Sequence, residues 1–285
     1  MSKTQTSFQI DGTTLAAMEY GDRQSAQCSL VFLHGWLDNA ASFESVMDSL
    51  HHQAPYLHLI AIDLPGHGYS PHKAATHFYS FHDYIDDLHQ FLVNLSANSV
   101  VLVGHSLGAL IASCYSAAFP ERINGLVQIE GRGPIAEAQN LSVSRLRDGV
   151  LSRQAIRRKP KRAFARVADA VELRAKINHI APELIYPIVE RGLVDTGFGW
   201  QWRHDVKLQS QSLYRMSFEQ AQSIVEHIVC PQLVVLGKHG FPQLQSVDNT
   251  ESSAVEVVTV EGGHHCHLQA PSRVSNLIFG LVNKI

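Results

Sequence analysis

The sequence predicts an α/β protein whose central sheet is mostly parallel and is covered by helices on both faces. Short apolar strands alternate along the chain with helical patterns, and this alternation is typical of parallel sheets. The strand at 30–33 is apolar throughout, and those at 58–62 and 125–129 are nearly so, as strands buried on both faces are. A chain of 285 residues is long enough for one large α/β domain with an insertion or for two ordinary domains.

The predicted elements follow one another from the N-terminus. Residues 7–10 and 14–20 flank Asp11-Gly12, which is typical of a hairpin. A short helix is predicted at 43–50, and apolar residues at three- and four-residue steps indicate an amphipathic helix over 81–95. The remaining predicted elements are a strand at 100–103 with the helix that follows it, a strand at 125–129, an element at 217–225, strands at 233–236 and 255–260, and a last helix that carries residues 274–282.

The segment 134–215 differs from the rest because it has few clusters of β-branched residues and much Ala, Arg, Leu and Gln. We interpret it as a helical cap inserted into a core domain made of 1–133 and 216–285. Its residues 145–176 include eleven Lys or Arg and three acids. The basic run at 157–162 is compatible with a nucleic-acid or phospholipid patch, but two solvated helix faces broken at Pro160 are the favoured interpretation.

The motif Gly104-His105-Ser106-Leu107-Gly108 stands between a predicted strand and a predicted helix, which is the context of a nucleophile elbow. In such a turn the serine is strained and its hydroxyl stands clear of the backbone, while the glycines leave room for the neighbouring strand and helix. The N–H groups at the start of the helix face any negative charge that forms there. An ordinary turn with a capping serine is the alternative.

Composition excludes several classes of protein. The chain is 45% hydrophobic and 17% charged, as globular proteins are, and its net charge of −3 argues against general nucleic-acid binding. The four cysteines are far apart and suggest neither a disulfide framework nor a zinc motif. No signal peptide and no apolar run of ~20 residues is apparent. We therefore expect a cytoplasmic protein without a membrane span or a nucleic-acid partner; no oligomeric state follows from the sequence.

Further motifs occur in a fixed order around the elbow. They are His34-Gly35-Trp36-Leu37-Asp38, the loop 63–70, Phe119-Pro120-Glu121-Arg122-Ile123, and Gly262-Gly263-His264 followed by Ala270-Pro271. With them the chain resembles the α/β-hydrolase family, and specifically the serine hydrolase-like esterases with a helical cap. The resemblance spans nearly the whole chain except the insertion. It implies the α/β-hydrolase fold and a cofactor-free enzyme that uses a serine, a histidine and an acid.

Ser106 is the candidate nucleophile, and it needs a histidine that takes its proton. His264 is the first candidate because it follows the last strand through Gly262-Gly263, where the family places its catalytic histidine. His265 and His267 compete for this role. Together with Cys266 they also suggest a metal cluster, but no carboxylate at suitable spacing supports it. Neither a metal nor a cofactor is predicted.

Acyl transfer also needs donors for the developing oxyanion. The backbone N–H of Leu107 is one candidate, and that of Trp36, in the loop after an early strand, is the other. The two tryptophans at 200 and 202 are expected either to line a pocket under the cap or to seat the cap by aromatic packing. The predicted substrate-pocket residues are His34, His105, Trp200 and Trp202.

The acid departs from the common pattern of the family. Many members carry G-x-x-D after the strand that corresponds to 233–236, but here the stretch is Gly237-Lys238-His239-Gly240. Glu130, at the end of the strand after the elbow helix, is the predicted acid, and Asp248 is the alternative. Glu130 follows an apolar run, where an unpaired charge is costly.

We therefore predict a serine esterase that acts on a small-molecule ester with a small or medium acyl group through an acyl-enzyme intermediate. The same groups also serve thioesters, lactones and carbon–carbon bonds, and the fold does not decide among these. The alternatives are a hydrolase-fold ligand receptor with slow turnover and a protein that has lost catalysis. Gly240 gives some weight to the last of these.

Overall fold

The computed structural model describes residues 3–95, 97–160, 162–245 and 254–285. The strands are β1 (Thr4–Ile10), β2 (Thr13–Tyr20), β3 (Ser29–Leu33), β4 (His58–Ile62), β5 (Val100–His105), β6 (Gly125–Ile129), β7 (Ala163–Phe164), β8 (Leu193–Asp195), β9 (Trp200–Trp202), β10 (Gln232–His239) and β11 (Val255–Gly263). The helices are α1 (Glu44–Gln53), α2 (Asp83–Leu95), α3 (Leu107–Ala118), α4 (Ser142–Arg157), α5 (Val167–Asn178), α6 (Pro182–Gly192), α7 (Phe218–Glu226), α8 (Cys266–Gln269) and α9 (Pro271–Val282).

Eight strands form one sheet in the order β1-β2-β4-β3-β5-β6-β10-β11. β2 pairs antiparallel with β1 and with β4, and the other pairs are parallel. The prediction of a mostly parallel sheet flanked by helices is confirmed. Because β3, β5, β6 and β10 are parallel neighbours, their carboxyl ends lie at one edge of the sheet, where such folds gather their ligands.

Helices cover the sheet on both faces, and alternate residues of each strand pack on opposite sides. Val31 and Leu102 join the apolar cluster that contains residues of α2 and α3. Phe32 and Val103 join the cluster that contains residues of α1 and α9. Burial on both faces explains why these strands are continuous apolar runs in the sequence.

The segment between β6 and α7 contains helices α4, α5 and α6, as the sequence predicts, but it also contains a sheet. β9 lies between β7 and β8 and pairs antiparallel with both. The sequence analysis predicted the helices of this insertion but not its small sheet. These strands are two or three residues long, which is too short for a periodic pattern to show in the sequence.

A buried ion pair joins this segment to the sheet. Arg191 of α6 donates to both carboxylate oxygens of Asp63, which follows β4, at 2.8–3.1 Å. The same carboxylate accepts the backbone N–H groups of Ala40 and Tyr69. Removing one partner of such a pair leaves an uncompensated buried charge, at a cost of about 3–5 kcal/mol. The segment is thus fixed above the carboxyl edge of the sheet.

None of the helices in the described ranges has the length and apolar character needed to span a membrane. The four cysteines, Cys28, Cys114, Cys230 and Cys266, are free thiols. Burial raises the pKa values of Cys114 and Cys266 to about 12.

Candidate active site

Ser106 lies in a strained turn between β5 and α3. Its φ of 49° and ψ of −116° are in a region that non-glycine residues rarely adopt, at a cost of about 1–3 kcal/mol. Its side chain makes no capping hydrogen bond to α3, so it is not an ordinary capping serine. The backbone N–H of Ser106 donates to Ile129 of β6 at 2.9 Å, which fixes the turn beside the end of that strand.

Two glycines allow this turn. A Cβ on Gly104 would lie 2.4 Å from the backbone of Gly108 and Ala109, and a Cβ on Gly108 would lie 1.9 Å from the carbonyl oxygen of Leu33. Neither position accepts a side chain without movement of backbone. The strand, the turn and the helix are therefore packed at the closest approach that the backbone permits.

Glu130 follows β6 and is 1% exposed. Its Oε1 accepts the backbone N–H of Gly237 at 2.7 Å, and its Oε2 accepts that of Phe241 at 3.1 Å. The same Oε2 lies 3.3 Å from Nδ1 of His264. The structure thus brings the predicted acid and the predicted base into contact. The backbone of Glu130 is in the left-handed region, with φ of 50°.

The glycine that replaces the usual acid has a structural reason. A Cβ on Gly240 would lie only 2.1 Å from Oε1 of Glu130. The Glu130 carboxylate therefore occupies the volume into which a side chain at position 240 would extend, and the two positions cannot both carry one. Asp248, the alternative acid, lies outside the described residues.

His264 follows β11, after Gly262 turns the chain with a φ of 121°. Its side chain is 24% exposed, and its ring lies 4.3 Å from that of Phe241 and 4.8 Å from that of His105. It lines the same cavity as Ser106.

The two competing histidines have other partners. His265 is buried, and its Nε2 lies 3.2 Å from Oδ2 of Asp38. His267 is also buried, and its Nε2 lies 2.8 Å from the Ser42 hydroxyl. Burial lowers the pKa of His267 to about 3, so it stays neutral and is unsuited to moving a proton near neutral pH. Glu130 contacts His264 alone among the three.

Asp38 is a buried carboxylate that sequence reasoning did not assign. Its Oδ1 accepts from Arg174 of α5 at 2.5 Å. Burial alone would raise the pKa of Asp38, but His265 and Arg174 hold it well below its ordinary value. The metal cluster of His265, Cys266 and His267 considered from the sequence lacked a carboxylate. The structure supplies one, together with a different histidine: Asp38, His105 and His265 each offer a ligand atom within 4.8 Å of the others.

Ser106, His264 and Asp38 line the same cavity, which has a volume of about 1090 Å³. Ser106, His105, His264, Trp36 and Trp202 line it, and so do five cations: Lys73, Lys159, Arg162, Arg174 and Lys207. Three of these cations form ion pairs with carboxylates: Lys73 with Asp83, Arg174 with Asp38, and Lys207 with Asp205. Lys159 contacts the neutral Gln209, and Arg162 lies over the ring of Phe164 at 4.9 Å. The cavity thus combines apolar walls with cationic groups.

Two of the predicted pocket residues lie elsewhere. His34 is fully buried and outside the cavity lining: its Nδ1 donates to the Gly35 carbonyl at 2.7 Å, and its Nε2 accepts the Leu64 N–H at 3.0 Å. Trp200 is also outside the lining and packs on the apolar cluster of the inserted segment. Trp202 lies on the same face of β9 and packs on the same cluster, but it also reaches the cavity, next to His204.

A parallel sheet under helices, with a strained serine after its fifth strand and a histidine–carboxylate pair at the same edge, defines an α/β hydrolase. The α/β hydrolase fold family matches residues 29–271, and the chain belongs to this family.

Similar proteins include a serine hydrolase-like protein from Dictyostelium discoideum, 28% identical over 280 residues, with 93% of this chain and 77% of that protein covered. A crystal structure of a hypothetical protein from Pseudomonas aeruginosa is 29% identical, with a TM-score of 0.86 and 98% of both chains covered. A shorter match is the pimeloyl-[acyl-carrier protein] methyl ester esterase of Yersinia enterocolitica, 30% identical over 102 residues, with 36% of each protein covered.

Proposed function

We propose that this protein is a serine hydrolase that cleaves carboxylic esters with small or medium acyl groups through an acyl-enzyme intermediate. The observation that carries the proposal is the contact of 3.3 Å between Glu130 Oε2 and His264 Nδ1, in the cavity that contains the strained Ser106. A buried carboxylate, an imidazole and a serine in one site are the groups that acyl transfer requires.

Glu130 fixes the tautomer of His264. A carboxylate accepts hydrogen bonds, so the proton of the neutral imidazole lies on Nδ1 and Nε2 keeps a lone pair. Nε2 then takes the proton of Ser106 as its hydroxyl oxygen attacks the ester carbonyl, and it gives the proton to the leaving alkoxide. Two backbone N–H donors hold Glu130 in place, and its charge stabilises the imidazolium that forms.

The backbone N–H groups of Leu107 and Trp36 are the proposed oxyanion donors. Leu107 is the first residue of α3, where N–H groups have no partner within the helix and the helix dipole favours negative charge. Trp36 follows β3, the neighbour of β5 in the sheet. Water then attacks the acyl-enzyme, with His264 acting as the base a second time.

We further propose that residues 134–215 form a cap over the cavity. The lining of the cavity includes three residues of this segment, Trp202, Arg174 and Lys159. A volume of about 1090 Å³ is slightly above the usual range of about 300–1,000 Å³ for small-molecule sites and has room for a small or medium ester. The name of the Yersinia relative, an esterase, supports the same class of substrate.

A fluorophosphonate probe and a series of p-nitrophenyl esters of increasing chain length test the proposal. We expect labelling at Ser106, repeated turnover with a maximum at short or medium chains, and a loss of about 10⁶-fold in kcat for Ser106→Ala. Ser223→Ala, an exposed serine on α7, is the matched control and should retain labelling and turnover. Labelling away from Ser106, or full activity of Ser106→Ala, would contradict a serine hydrolase. Labelling with one slow turnover would instead favour a ligand receptor.

A further inference from the structure

Three buried side chains at the floor of the cavity turn their ligand atoms toward one another. Asp38 Oδ2 lies 3.2 Å from His265 Nε2 and 3.9 Å from His105 Nδ1. Each of the three side chains is at most 3% exposed, and each lines the cavity. The mechanism proposed above uses none of them.

The tautomer of His105 makes this arrangement unusual. Its Nε2 lies 2.8 Å from the carbonyl oxygen of His264, and since a carbonyl only accepts, the ring proton is on Nε2. In a neutral imidazole with its proton on Nε2, the other ring nitrogen, Nδ1, carries a lone pair. This buried atom has no hydrogen-bond partner among the described residues, and it faces the carboxylate of Asp38. A buried lone pair without a donor or a cation is costly, and the Asp38 oxygen beside it only accepts hydrogen bonds.

Gly35 packs directly against two of these ligand atoms. A Cβ on this glycine would lie 2.9 Å from His105 Nδ1 and 3.3 Å from Asp38 Oδ2, so a side chain there would crowd both atoms. Ligands at 2.0–2.1 Å from a tetrahedral zinc ion are about 3.3 Å apart. Two of the three observed separations, 3.2 and 3.9 Å, approach this value, and all three ligand atoms lie within 4.8 Å of one another.

We propose that Asp38, His105 and His265 form a binding site for a divalent d-block cation of the zinc class. Asp38 Oδ2, His105 Nδ1 and His265 Nε2 are the ligand atoms, and on binding the His265 proton moves from Nε2 to Nδ1. Two imidazoles and one carboxylate are a ligand set that zinc accepts. The fourth position faces the cavity, where water or a substrate oxygen can fill it.

Neighbouring groups tune this site in opposite directions. The His264 carbonyl holds the Nε2–H of His105, which is the way that proteins orient metal-binding imidazoles. Arg174 donates to the other oxygen of Asp38 and places a positive charge beside the ion. The site therefore binds more weakly than its ligand set alone would allow, and removal of this charge strengthens it.

Cobalt(II) is a suitable probe because its visible spectrum reports coordination geometry. We expect the Ser106→Ala protein, which needs no catalytic activity for this test, to bind one Co²⁺ with the intense visible bands of a tetrahedral site, displaced by Zn²⁺. His265→Gln should raise the Co²⁺ dissociation constant by at least about 100-fold. Arg174→Gln should lower it several-fold. Cys266→Ala removes the neighbouring thiol and should leave the spectrum unchanged, without a sulfur-to-cobalt band in either protein.

Each other outcome overturns the proposal. Absence of tetrahedral bands at millimolar Co²⁺ would mean that a water molecule alone fills the space. Bands that persist in His265→Gln would locate the ion at surface histidines, and bands lost in Cys266→Ala would require a different ligand set. Since hydrolysis is not measured, failure of this site leaves the proposed hydrolase function to its own test.

Discussion

Two consecutive histidines each face a buried carboxylate, but the surroundings of the two carboxylates differ. Glu130, which contacts His264, is held by two neutral backbone N–H groups. Asp38, which contacts His265, is held by the guanidinium of Arg174. The charge of Asp38 is therefore already compensated, whereas the charge of Glu130 is available to an imidazolium.

Under the proposed mechanism, this difference distinguishes a catalytic histidine from a structural one. A proton-transferring histidine gains a positive charge in the transition state, and a carboxylate without a cationic partner stabilises that charge most. His264 is also partly exposed to the cavity, while His265 is buried. We expect the two histidines to respond differently to the same substitution, and the following experiments test this in order of decreasing effect.

The largest contrast is expected between His264→Gln and His265→Gln. Loss of the base should lower kcat by about 10⁶-fold. Loss of His265 should have a much smaller effect, because its ring contacts Asp38 and not Glu130. Single-turnover and steady-state hydrolysis of p-nitrophenyl acetate measure both. Equal losses would mean that the two histidines share the role of base.

Substitutions of the two carboxylates, Glu130 and Asp38, should likewise have different effects, one on catalysis and the other on stability. Glu130→Gln should lower kcat by as much as ~10⁴-fold, because the amide orients the imidazole wrongly. It should lower the free energy of unfolding by only about 1–3 kcal/mol, because its NH2 group then faces one of the two backbone N–H donors. Asp38→Asn leaves Arg174 without its anion and should lower the free energy of unfolding by about 3–5 kcal/mol. Urea unfolding and ester kinetics on both variants distinguish the effects. Asp248→Asn is the control, and a large loss of kcat there would assign the acid to Asp248 instead.

A substitution at Gly240 can fill the space that the Glu130 carboxylate occupies without replacing any ionisable group. In Gly240→Ala the new methyl group would lie 2.1 Å from Oε1 of Glu130, so the carboxylate must move. A displacement of this size should lower kcat by about 100-fold. Gly280→Ala, where nothing lies within 4 Å of the added Cβ, should retain wild-type kcat. Wild-type activity of Gly240→Ala would show that the position of Glu130 is unimportant.

Acid should destabilise the folded protein, because His267, a buried histidine near Asp38, is held neutral in the fold. The pKa of His267 is lowered by burial to about 3 in the folded protein, against about 6.5 when unfolded. The unfolded chain thus binds the proton first, and between pH 7 and pH 5 the free energy of unfolding should fall by about 2 kcal/mol for this group. Denaturant titrations at both pH values measure the slope. His267→Gln should reduce it, and an unchanged slope would mean that other groups dominate.

The smallest effect concerns the cations of the cavity. Lys159 and Arg162 contact only a neutral amide and an aromatic ring among the described partners, so they should raise kcat/KM for anionic esters over matched neutral ones, and salt should weaken this preference. The double variant Lys159→Gln, Arg162→Gln should lose the salt dependence. Lys284→Gln, a cation outside the cavity lining, should keep it. An equal salt response of both ester classes would assign these residues to solvated surface.

Local sequence was sufficient for the elements that depend on neighbouring residues. The elbow at Ser106 follows from the glycines that flank it, and the sheet follows from strands that are apolar on both faces. The position of Glu130 at the carboxyl edge was also predictable, because parallel neighbours β5 and β6 end side by side. The sequence analysis missed strands β7, β8 and β9, since two or three residues are too few to show an alternating apolar pattern.

Only the tertiary structure decided which side chains meet. The family resemblance placed His264 first, but the residues His264-His265-Cys266-His267 do not themselves show which imidazole faces Glu130. That depends on how the turn after β11 packs against β6 and β10. The pairing of Asp38 with Arg174 joins residues 136 positions apart. The Glu130 carboxylate, which follows β6, occupies the volume beside Gly240, which follows β10. Such contacts are fixed by the packing of distant elements against one another, whereas strands, turns and helices follow from steric and hydrophobic preferences within a few residues.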